Sequence, residues 1–337
     1  MTSRWALLGA VAVGAALLCV CLGPVTVGPA DVLAVLGERL GLDHAPSVRD
    51  RAIVWSIRLP RTLLAFAVGG ALGLSGAALQ GLFRNPLAEP ALIGVSSGAA
   101  LGAVLCIATL PATLPLVGAL AVPLAAVVGG GLATVLVYRL GRRDGRTAVG
   151  TLLLAGIAVN ALAGAIIGLV LTMVDEGRLR TITLWTLGSV GGATWGSALT
   201  VATAVAVAVV LVVPAARSLD ALLLGEAEAA HLGVPVQSLK RRLVAASTLA
   251  VGAATAFSGL VGFVGLVVPH ILRLAWGPEH RFLLPASALG GGTLLALADL
   301  VARTAAAPAE LPIGVLTAIL GAPFFLALLR QRGPELA

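Results

Sequence analysis

The stretch RTLLAFAVGGALGLSGAALQGLFRNPLAEPALIGVSSGAALGAV, residues 61–104, contains two long apolar runs joined by the polar segment RNPLAEP, residues 84–90. A helix needs about 20 apolar residues to cross about 30 Å of hydrocarbon, and each run approaches that length. Proline removes a backbone donor and moves the preceding residue out of helical geometry. Asn85-Pro86 therefore predicts the end of one membrane span, and Pro90 predicts the start of the next. These residues alone leave open whether the reversal is only a turn.

The composition of the whole chain agrees with a membrane protein. Of 337 residues, 59% are hydrophobic and 11% charged, whereas soluble domains carry roughly 25% charged residues. We predict an all-α polytopic protein, with residues 1–337 forming a single transmembrane domain. Ten spans are expected near residues 5–27, 62–83, 91–110, 114–138, 149–173, 195–216, 243–263, 264–276, 283–303 and 311–329.

The distribution of cations predicts the orientation of these spans. With the N-terminus in the cytoplasm, 14 of the 22 Lys and Arg residues fall on the inner side and 8 on the outer side. Cytoplasmic loops of membrane proteins carry such an excess, so both termini are expected in the cytoplasm of a bacterial inner membrane. The same excess explains the net charge of +7 without a nucleic-acid partner. The cationic start resembles a signal peptide, but the length of the apolar run favours a retained first span.

Several kinds of chemistry are missing from the sequence. The only lysine, Lys240, lies between Leu239 and Arg241, so the chain lacks the Gly-Lys-Ser/Thr loop that cradles ATP phosphates. The cysteines and histidines show no metal-ligand spacing, and no HExxH motif or nucleophile-base pair occurs in a span. Carboxylates are expected only near the outer ends of spans, at Asp299 and Glu310. We therefore expect neither an enzyme, nor a metal site, nor a proton-coupled pump.

Two further features of the sequence are a possible internal repeat and a charged segment between predicted spans. Residues 67–87 and 250–270 align without gaps at seven identities, which either reflects an inverted repeat or arises from composition bias. The charged segment 217–242 predicts a cytoplasmic helix that begins at Ser218 and stops at Gly233, followed by a short helix over residues 237–242. The first helix has an apolar stripe that fits either a lipid surface or a protein groove, and its flanking glutamates favour the groove. The stripe consists of Leu219, Leu222, Leu223, Ala227 and Ala230.

Four motifs carry a resemblance to a known family. They are RLPRTLLAFAVGGALGLSGAALQGLFRNPLAEPALIGVSSGAALGAV, GEAEAAHLGVPV, GLVGFVGLVVPHILR and AELPIGVLTAILGAPFF. From Arg58 onward the chain resembles the permease subunits of bacterial ABC importers for iron siderophores, haem and cobalamin. The resemblance implies a homodimer with the translocation path at its interface. It also implies two ATPase subunits that carry the ATP and Mg, a periplasmic substrate-binding protein, and no cofactor on this chain.

The resemblance also implies roles for particular residues. The cytoplasmic gate would consist of Asn85, Pro86 and Leu87 with Val149 and Gly150, although some relatives have hydroxyl residues at the last two positions. ATPase coupling, within residues 218–240, would involve Leu222, Leu223, Glu226, Ala230, His231, Leu232, Gly233 and Val234. Arginine forks for acidic residues of the binding protein would be Arg58, Arg61 and Arg303, unless Arg58 and Arg61 only contact lipid headgroups.

The cargo follows from a weaker resemblance. The outer stretch Leu179–Trp195 is similar to that of haem permeases, and Arg178 and Arg180 could attract haem propionates at the entrance. Haem or a related iron chelate is therefore expected. A ferric siderophore, cobalamin and ion-coupled secondary transport remain as alternatives.

Overall fold

A computed structural model describes residues 2–42, 46–110, 115–143 and 146–332 of the chain. Its helices are α1 (Thr2–Cys21), α2 (Pro29–Arg39), α3 (Val48–Arg51), α4 (Leu59–Phe83), α5 (Val95–Thr109), α6 (Pro115–Leu140), α7 (Val149–Leu171), α8 (Glu176–Leu187), α9 (Trp195–Val212), α10 (Ala216–Leu222), α11 (Glu226–His231), α12 (Val236–Ser258), α13 (Val264–Trp276), α14 (His280–Thr304) and α15 (Ile313–Arg332). A π-helical segment, Ala52–Arg58, leads into α4, and 3₁₀ turns cover Pro90–Ile93 and Val213–Ala215. A two-residue hairpin pairs Arg142–Arg143 with Arg146–Thr147.

The helices confirm an all-α polytopic fold. Within the described ranges, six helical segments are long and apolar enough to cross a membrane, and α5, α13 and α15 provide shorter apolar helices. Nine of the ten predicted spans coincide with these segments. The predicted span 243–263 lies in α12, which falls below the hydropathy of the others because its first turns carry three cations. This helix crosses the centre of the fold, where α4, α5, α6 and α9 contact it, although Leu249 on its outer face is exposed.

Helices α4 and α12 form the core of the helix bundle. Helix α4 packs against α9, α12, α13 and α14, and α12 also contacts α5 and α6. Close packing depends on glycine where two backbones meet: a Cβ atom on Gly76 would lie 1.9 Å from the carbonyl oxygen of Gly265. Small residues at such crossings let helices approach closely without a hydrophobic driving force in lipid.

One predicted helix boundary near α12 was wrong, and the two aligned segments differ in conformation. Residues 237–242 are not a separate short helix, because α12 begins at Val236 and continues through them. Segments 67–87 and 250–270, which align in sequence, differ in conformation at an identical Ser-Gly pair. Helix α4 continues through Gly76, whereas α12 ends before Gly259, which has φ +67°. A left-handed residue terminates a helix, so the second segment breaks where the first stays straight.

Candidate functional site

The polar turn after α4, residues 84–90, is stabilised by hydrogen bonds within the turn. Arg84 adopts the left-handed conformation and ends α4, and the Asn85 amide donates to the carbonyl of Gln80 at 3.1 Å. The Asn85 side-chain oxygen accepts from the Leu87 amide at 2.9 Å, which fixes Pro86 between them. An asparagine that bonds to the backbone two residues on makes a rigid turn. The predicted gate residues Asn85, Pro86 and Leu87 are therefore preorganised, and each is half-buried.

Beyond Leu87 the chain turns back into the membrane domain. A Cβ atom on Gly265 would contact both the carbonyl oxygen of Leu72 and the Cδ of Pro90. Since Leu72 precedes the end of α4 by three helical turns, Pro90 lies about 16 Å inward from that end. The sequence predicted a reversal at the surface, but the structure has a re-entrant segment. Irregular backbone is tolerated at such depth only where protein covers it.

Glu89 lies on this re-entrant segment and was missed by the sequence analysis. Its carboxylate accepts a hydrogen bond from the amide of Phe263 at 2.9 Å, at the start of α13. Phe263 precedes α13 in the left-handed conformation, with φ +66°. Hydropathy could not predict that this carboxylate lies within the membrane domain, because the polar segment around it is typical of a surface loop.

The re-entrant segment packs against α7 through polar groups. Asn160 donates to the carbonyl of Ala91 at 3.0 Å and is hydrogen-bonded to Ser97 at 2.5 Å. The predicted second gate lies at the other end of α7, where Val149 is half-buried and Gly150 is exposed with open space around its Cα. These contacts join the re-entrant segment to the middle of α7, away from the predicted gate positions at its start. The gate assignment of Val149 and Gly150 stays a prediction.

The cytoplasmic segment differs from its predicted form. It contains two short helices, α10 and α11, because Gly225 at φ +128° breaks the expected single helix. Ser218 lies inside α10 and does not cap it. Leu219 and Leu222 are fully buried in the chain's own core, so Leu222 is not available to a partner subunit. Part of the predicted stripe therefore packs into the chain itself, whereas Leu223, Ala227 and Ala230 stay exposed, since a periodic pattern shows which face is apolar but not what covers it.

The other predicted coupling residues are more accessible. Leu223 is 44% exposed, Leu224 67% and Leu232 66%, and Leu223 shares a 230 Å³ cavity with Asn85 and Pro86. The predicted coupling segment thus lies beside the first predicted gate. Of the remaining positions, some are exposed and some half-buried: Ala230, His231 and Gly233 are exposed, and Glu226 and Val234 are half-buried.

Lys240 connects the same segment to the second predicted gate. Its side chain is 2% exposed, and its ammonium lies 2.6 Å from the Glu226 carboxylate of α11 and 2.6 Å from the carbonyl oxygen of Thr147. Gln237 accepts from the Thr147 amide at 3.1 Å. Both backbone groups of Thr147, two residues before Val149, are therefore held by α12. The sequence showed only that Lys240 does not belong to an ATP-binding loop.

The three arginines predicted to dock the binding protein are buried rather than exposed. Arg58, Arg61 and Arg303 are 3%, 6% and 3% exposed. Arg58 donates to the carbonyls of Val20, Cys21 and Val25, which follow or end α1. The donors of Arg61 are likewise used inside the chain, whereas Arg303 is buried with its Nε lacking a hydrogen-bond partner among the described residues. The three side chains are thus buried rather than exposed, and their role in docking a binding protein stays a prediction.

Arg61 and Arg303 share an ion-pair cluster with two carboxylates. Arg61 binds Asp299 through Nε and Nη2 at 2.9–3.1 Å, and it binds Glu310 at 2.8 and 2.9 Å. Arg303 lies 3.7 Å from Asp299 and donates to the Cys19 carbonyl. Hydrogen bonds from Arg61 lower the pKa of Glu310. The cluster joins α1, α4, α14 and the segment before α15 at one end of the bundle.

The predicted entrance arginines lie on α8, a helix that the sequence analysis left unassigned. Asp175 caps α8 by accepting from the Arg178 amide at 3.0 Å, and this backbone bond lowers the pKa of Asp175. The Arg178 guanidinium donates to the carbonyl of Ala108, and only Arg180 is left exposed. Within the part of the chain that the structure describes, no three His, Cys, Asp or Glu side chains are placed to hold a metal ion.

Comparisons with known proteins agree with this architecture. The chain is 49% identical over 281 residues to the hemin transport system permease protein HmuU of Yersinia pestis, covering 83% of this chain and 84% of the relative. It is 46% identical over 283 residues to the cobalamin import system permease protein BtuC of Halobacterium salinarum, covering 84% and 74%. It is 41% identical over 327 residues to the vitamin B12 import system permease protein BtuC of Salmonella typhimurium, covering 97% and 94%.

A solved structure shows the same fold, and the family match covers nearly the whole chain. The structure, described as an inward-facing conformation of a transporter of the metal-chelate ABC type, superposes with a TM-score of 0.85 at 30% identity, over 98% of this chain and 100% of its own. The sequence pattern of the FecCD transport family matches residues 11–331. The chain therefore belongs to the FecCD transport family.

Proposed function

We propose that this chain is the permease subunit of a binding-protein-dependent ABC importer that moves haem, or a related iron chelate, from the periplasm to the cytoplasm. The observation that carries the proposal is the family match over residues 11–331 together with the 49% identity to a hemin permease. Two copies would enclose the path in the bacterial inner membrane, with all termini in the cytoplasm. A periplasmic binding protein would deliver the cargo, and two ATPase subunits would bind ATP and Mg.

The cytoplasmic contacts support a route from the ATPase to both gates. The exposed side chains of Leu223, Leu224 and Leu232 would dock into the ATPase. Movement of α10 would reach Asn85 and Pro86 through their shared cavity. Movement of α11 would reach Val149 and Gly150 through the Glu226–Lys240–Thr147 contacts. Since this chain lacks an ATP-binding loop, such contacts are how it would receive work from nucleotide hydrolysis.

The choice of haem has a specific competitor. Relatives named as cobalamin permeases are 46% and 41% identical to this chain, so cobalamin is the second candidate cargo, beside ferric siderophores. Arg180 is the exposed cation on α8 that could attract a propionate, because Arg178 is already bonded to Ala108. One cation at an entrance steers an anion and does not define the cargo.

Reconstitution tests both the mechanism and the cargo. Proteoliposomes would contain the permease, its ATPase and a cognate binding protein loaded in turn with haem, a ferric siderophore or cobalamin. ATP-dependent accumulation of haem is expected, and none should occur with an ATPase variant that cannot hydrolyse ATP. Transport of cobalamin or the siderophore without haem would replace the proposed cargo. Uptake by the permease alone, without nucleotide, would favour an ion-coupled transporter.

A further inference from the structure

A cleft between α6 and α12 is not used by any of the roles above. Its volume is 610 Å³, and most of its wall is apolar, with Val127, Gly131, Val244 and Leu249 among the lining residues. Gly131 leaves the wall open, because a Cβ atom at that position would meet nothing within 4 Å. The cleft therefore has room for an elongated apolar group along the outside of the bundle.

One end of this cleft is strongly basic. It is lined by three exposed arginines: Arg139 in the last turn of α6, Arg142 in the hairpin that follows α6, and Arg241 in the first turns of α12. The ion pairs found among described side chains do not include any of the three. Tyr138 lies beside them and accepts a hydrogen bond from the Thr147 hydroxyl at 3.1 Å, which holds its ring at this end. Arginines and a fixed tyrosine are typical of a membrane interface.

The length of the cleft matches one leaflet of a bilayer. Leu249 lies eight residues beyond Arg241, about 12 Å along the helix, and Val127 lies twelve residues before Arg139, about 18 Å. Half of a hydrocarbon core is about 15 Å. The basic end thus falls at headgroup level when the apolar walls lie beside acyl chains.

We infer that this cleft binds an anionic phospholipid, with its phosphate at Arg139, Arg142 and Arg241 and an acyl chain along Gly131 and Leu249. Basic pockets between membrane helices recognise anionic headgroups through charge, and each cation near the surface contributes to the attraction. A soluble protein would meet the arginines but could not cover walls that extend into hydrocarbon. The proposed orientation of the chain places this lipid in the cytoplasmic leaflet.

Lipid retention by the purified full-length protein tests the inference. The permease would be exchanged into nanodiscs of phosphatidylcholine with a minor fraction of phosphatidylglycerol, and bound lipid would be measured by native mass spectrometry. Phosphatidylglycerol should be enriched on the wild-type chain. The triple variant Arg139→Gln, Arg142→Gln, Arg241→Gln should lower that enrichment at least about tenfold, because three attractive charges are lost. Arg242→Gln, an exposed neighbour that does not line the cleft, should retain it.

A second variant separates the acyl chain from the headgroup. Gly131→Leu fills the wall without changing charge, and it should reduce phosphatidylglycerol binding while the protein still elutes as a folded species. Equal retention of both lipids, or retention unchanged in the triple variant, would overturn the inference. Displacement by inorganic phosphate with no effect of Gly131→Leu would indicate an anion site without a lipid. Disulfide formation between two copies of a Leu249→Cys variant, with loss of bound lipid, would show that a second copy covers the cleft.

Discussion

At one end of the bundle, the guanidinium of Arg61 illustrates how far a buried cation depends on its partners. It binds Asp299, which is 3% exposed, and Glu310, whose side chain is 43% exposed. Removing one partner of a buried ion pair leaves an uncompensated charge, whereas an exposed pair contributes little. The two carboxylates therefore differ in their importance although both contact the same arginine.

Replacing each carboxylate in turn tests this difference. Asp299→Asn should lower stability by about 3 kcal/mol, because Arg61 and Arg303 stay buried with less compensation. Glu310→Gln should cost less than about 1 kcal/mol at neutral pH. Thermal unfolding in detergent measures both. Equal losses for the two variants would contradict the burial-based argument.

The Glu310 contact also predicts a pH dependence. Because Arg61 lowers the pKa of Glu310 in the folded chain, its contribution is complete above the usual carboxyl pKa of about 4.3 and is lost as pH falls through the lower folded value. The stability advantage of wild type over Glu310→Gln should therefore shrink below about pH 4.

The hydrogen bond of Glu89 predicts a difference between two substitutions. Glu89→Gln keeps a side-chain oxygen that can accept from the Phe263 amide, whereas Glu89→Ala removes the acceptor. We therefore expect Glu89→Ala to be less stable than Glu89→Gln by about 1–3 kcal/mol, measured by thermal unfolding in detergent. Equal unfolding temperatures for the two variants would contradict a structural role for this hydrogen bond.

At the scale of elements, Lys240 joins α11, α12 and the start of α7. Lys240→Met keeps the length of the side chain but leaves the Thr147 carbonyl unpaired, so we expect a loss of about 1–3 kcal/mol. A double-mutant cycle with Glu226→Gln should show a coupling of at least about 0.5 kcal/mol. If the proposed function holds, Lys240→Met should also reduce transport per ATP hydrolysed. Arg242→Gln, at an exposed neighbouring position, is the matched control, and an equal loss in that variant would contradict a specific role for Lys240.

The two faces of the segment α10–α11 should respond differently to substitution. Leu222→Ala should destabilise the chain by about 2–5 kcal/mol, since Leu222 is fully buried. Leu224→Asp should leave the unfolding temperature unchanged and weaken copurification of the ATPase. If the Leu224→Asp chain retained its ATPase, the exposed leucines would belong to a lipid surface instead.

At the scale of the whole molecule, backbone contacts between glycines set how closely the central helices approach. Gly76→Ala would place a methyl group 1.9 Å from the carbonyl oxygen of Gly265, and backbone there has little freedom to move. We expect a loss of about 3 kcal/mol or more, measured as reduced unfolding temperature and yield. Gly9→Ala in α1 meets nothing within 4 Å and should be neutral or stabilising by up to about 1 kcal/mol. Similar behaviour of the two variants would contradict this packing.

Relatives and fold place the molecule among permeases, but its interior explains which sequence-based assignments changed. Arg58, Arg61 and Arg303 lie at the predicted outer end, yet each side chain is buried within the chain. The arginines on α8 show the same limit, since Arg178 is bonded to Ala108. The sequence around a charged residue at the end of a span is the same whether its side chain faces a partner protein, lipid or another helix.

The sequence by itself determined the helical class, most of the spans, the reversal after α4 and the family resemblance. Those properties depend on local hydropathy and on backbone restrictions within a few residues. Only the tertiary structure decided that Glu89 is carried inward, that Leu222 is in the core and that Arg61 is paired. The reason is distance along the chain: Asp299 lies 238 residues beyond Arg61, and the Phe263 amide lies 174 residues beyond Glu89. Such pairs form only when the helices pack, so the residues near either partner in the sequence do not predict them.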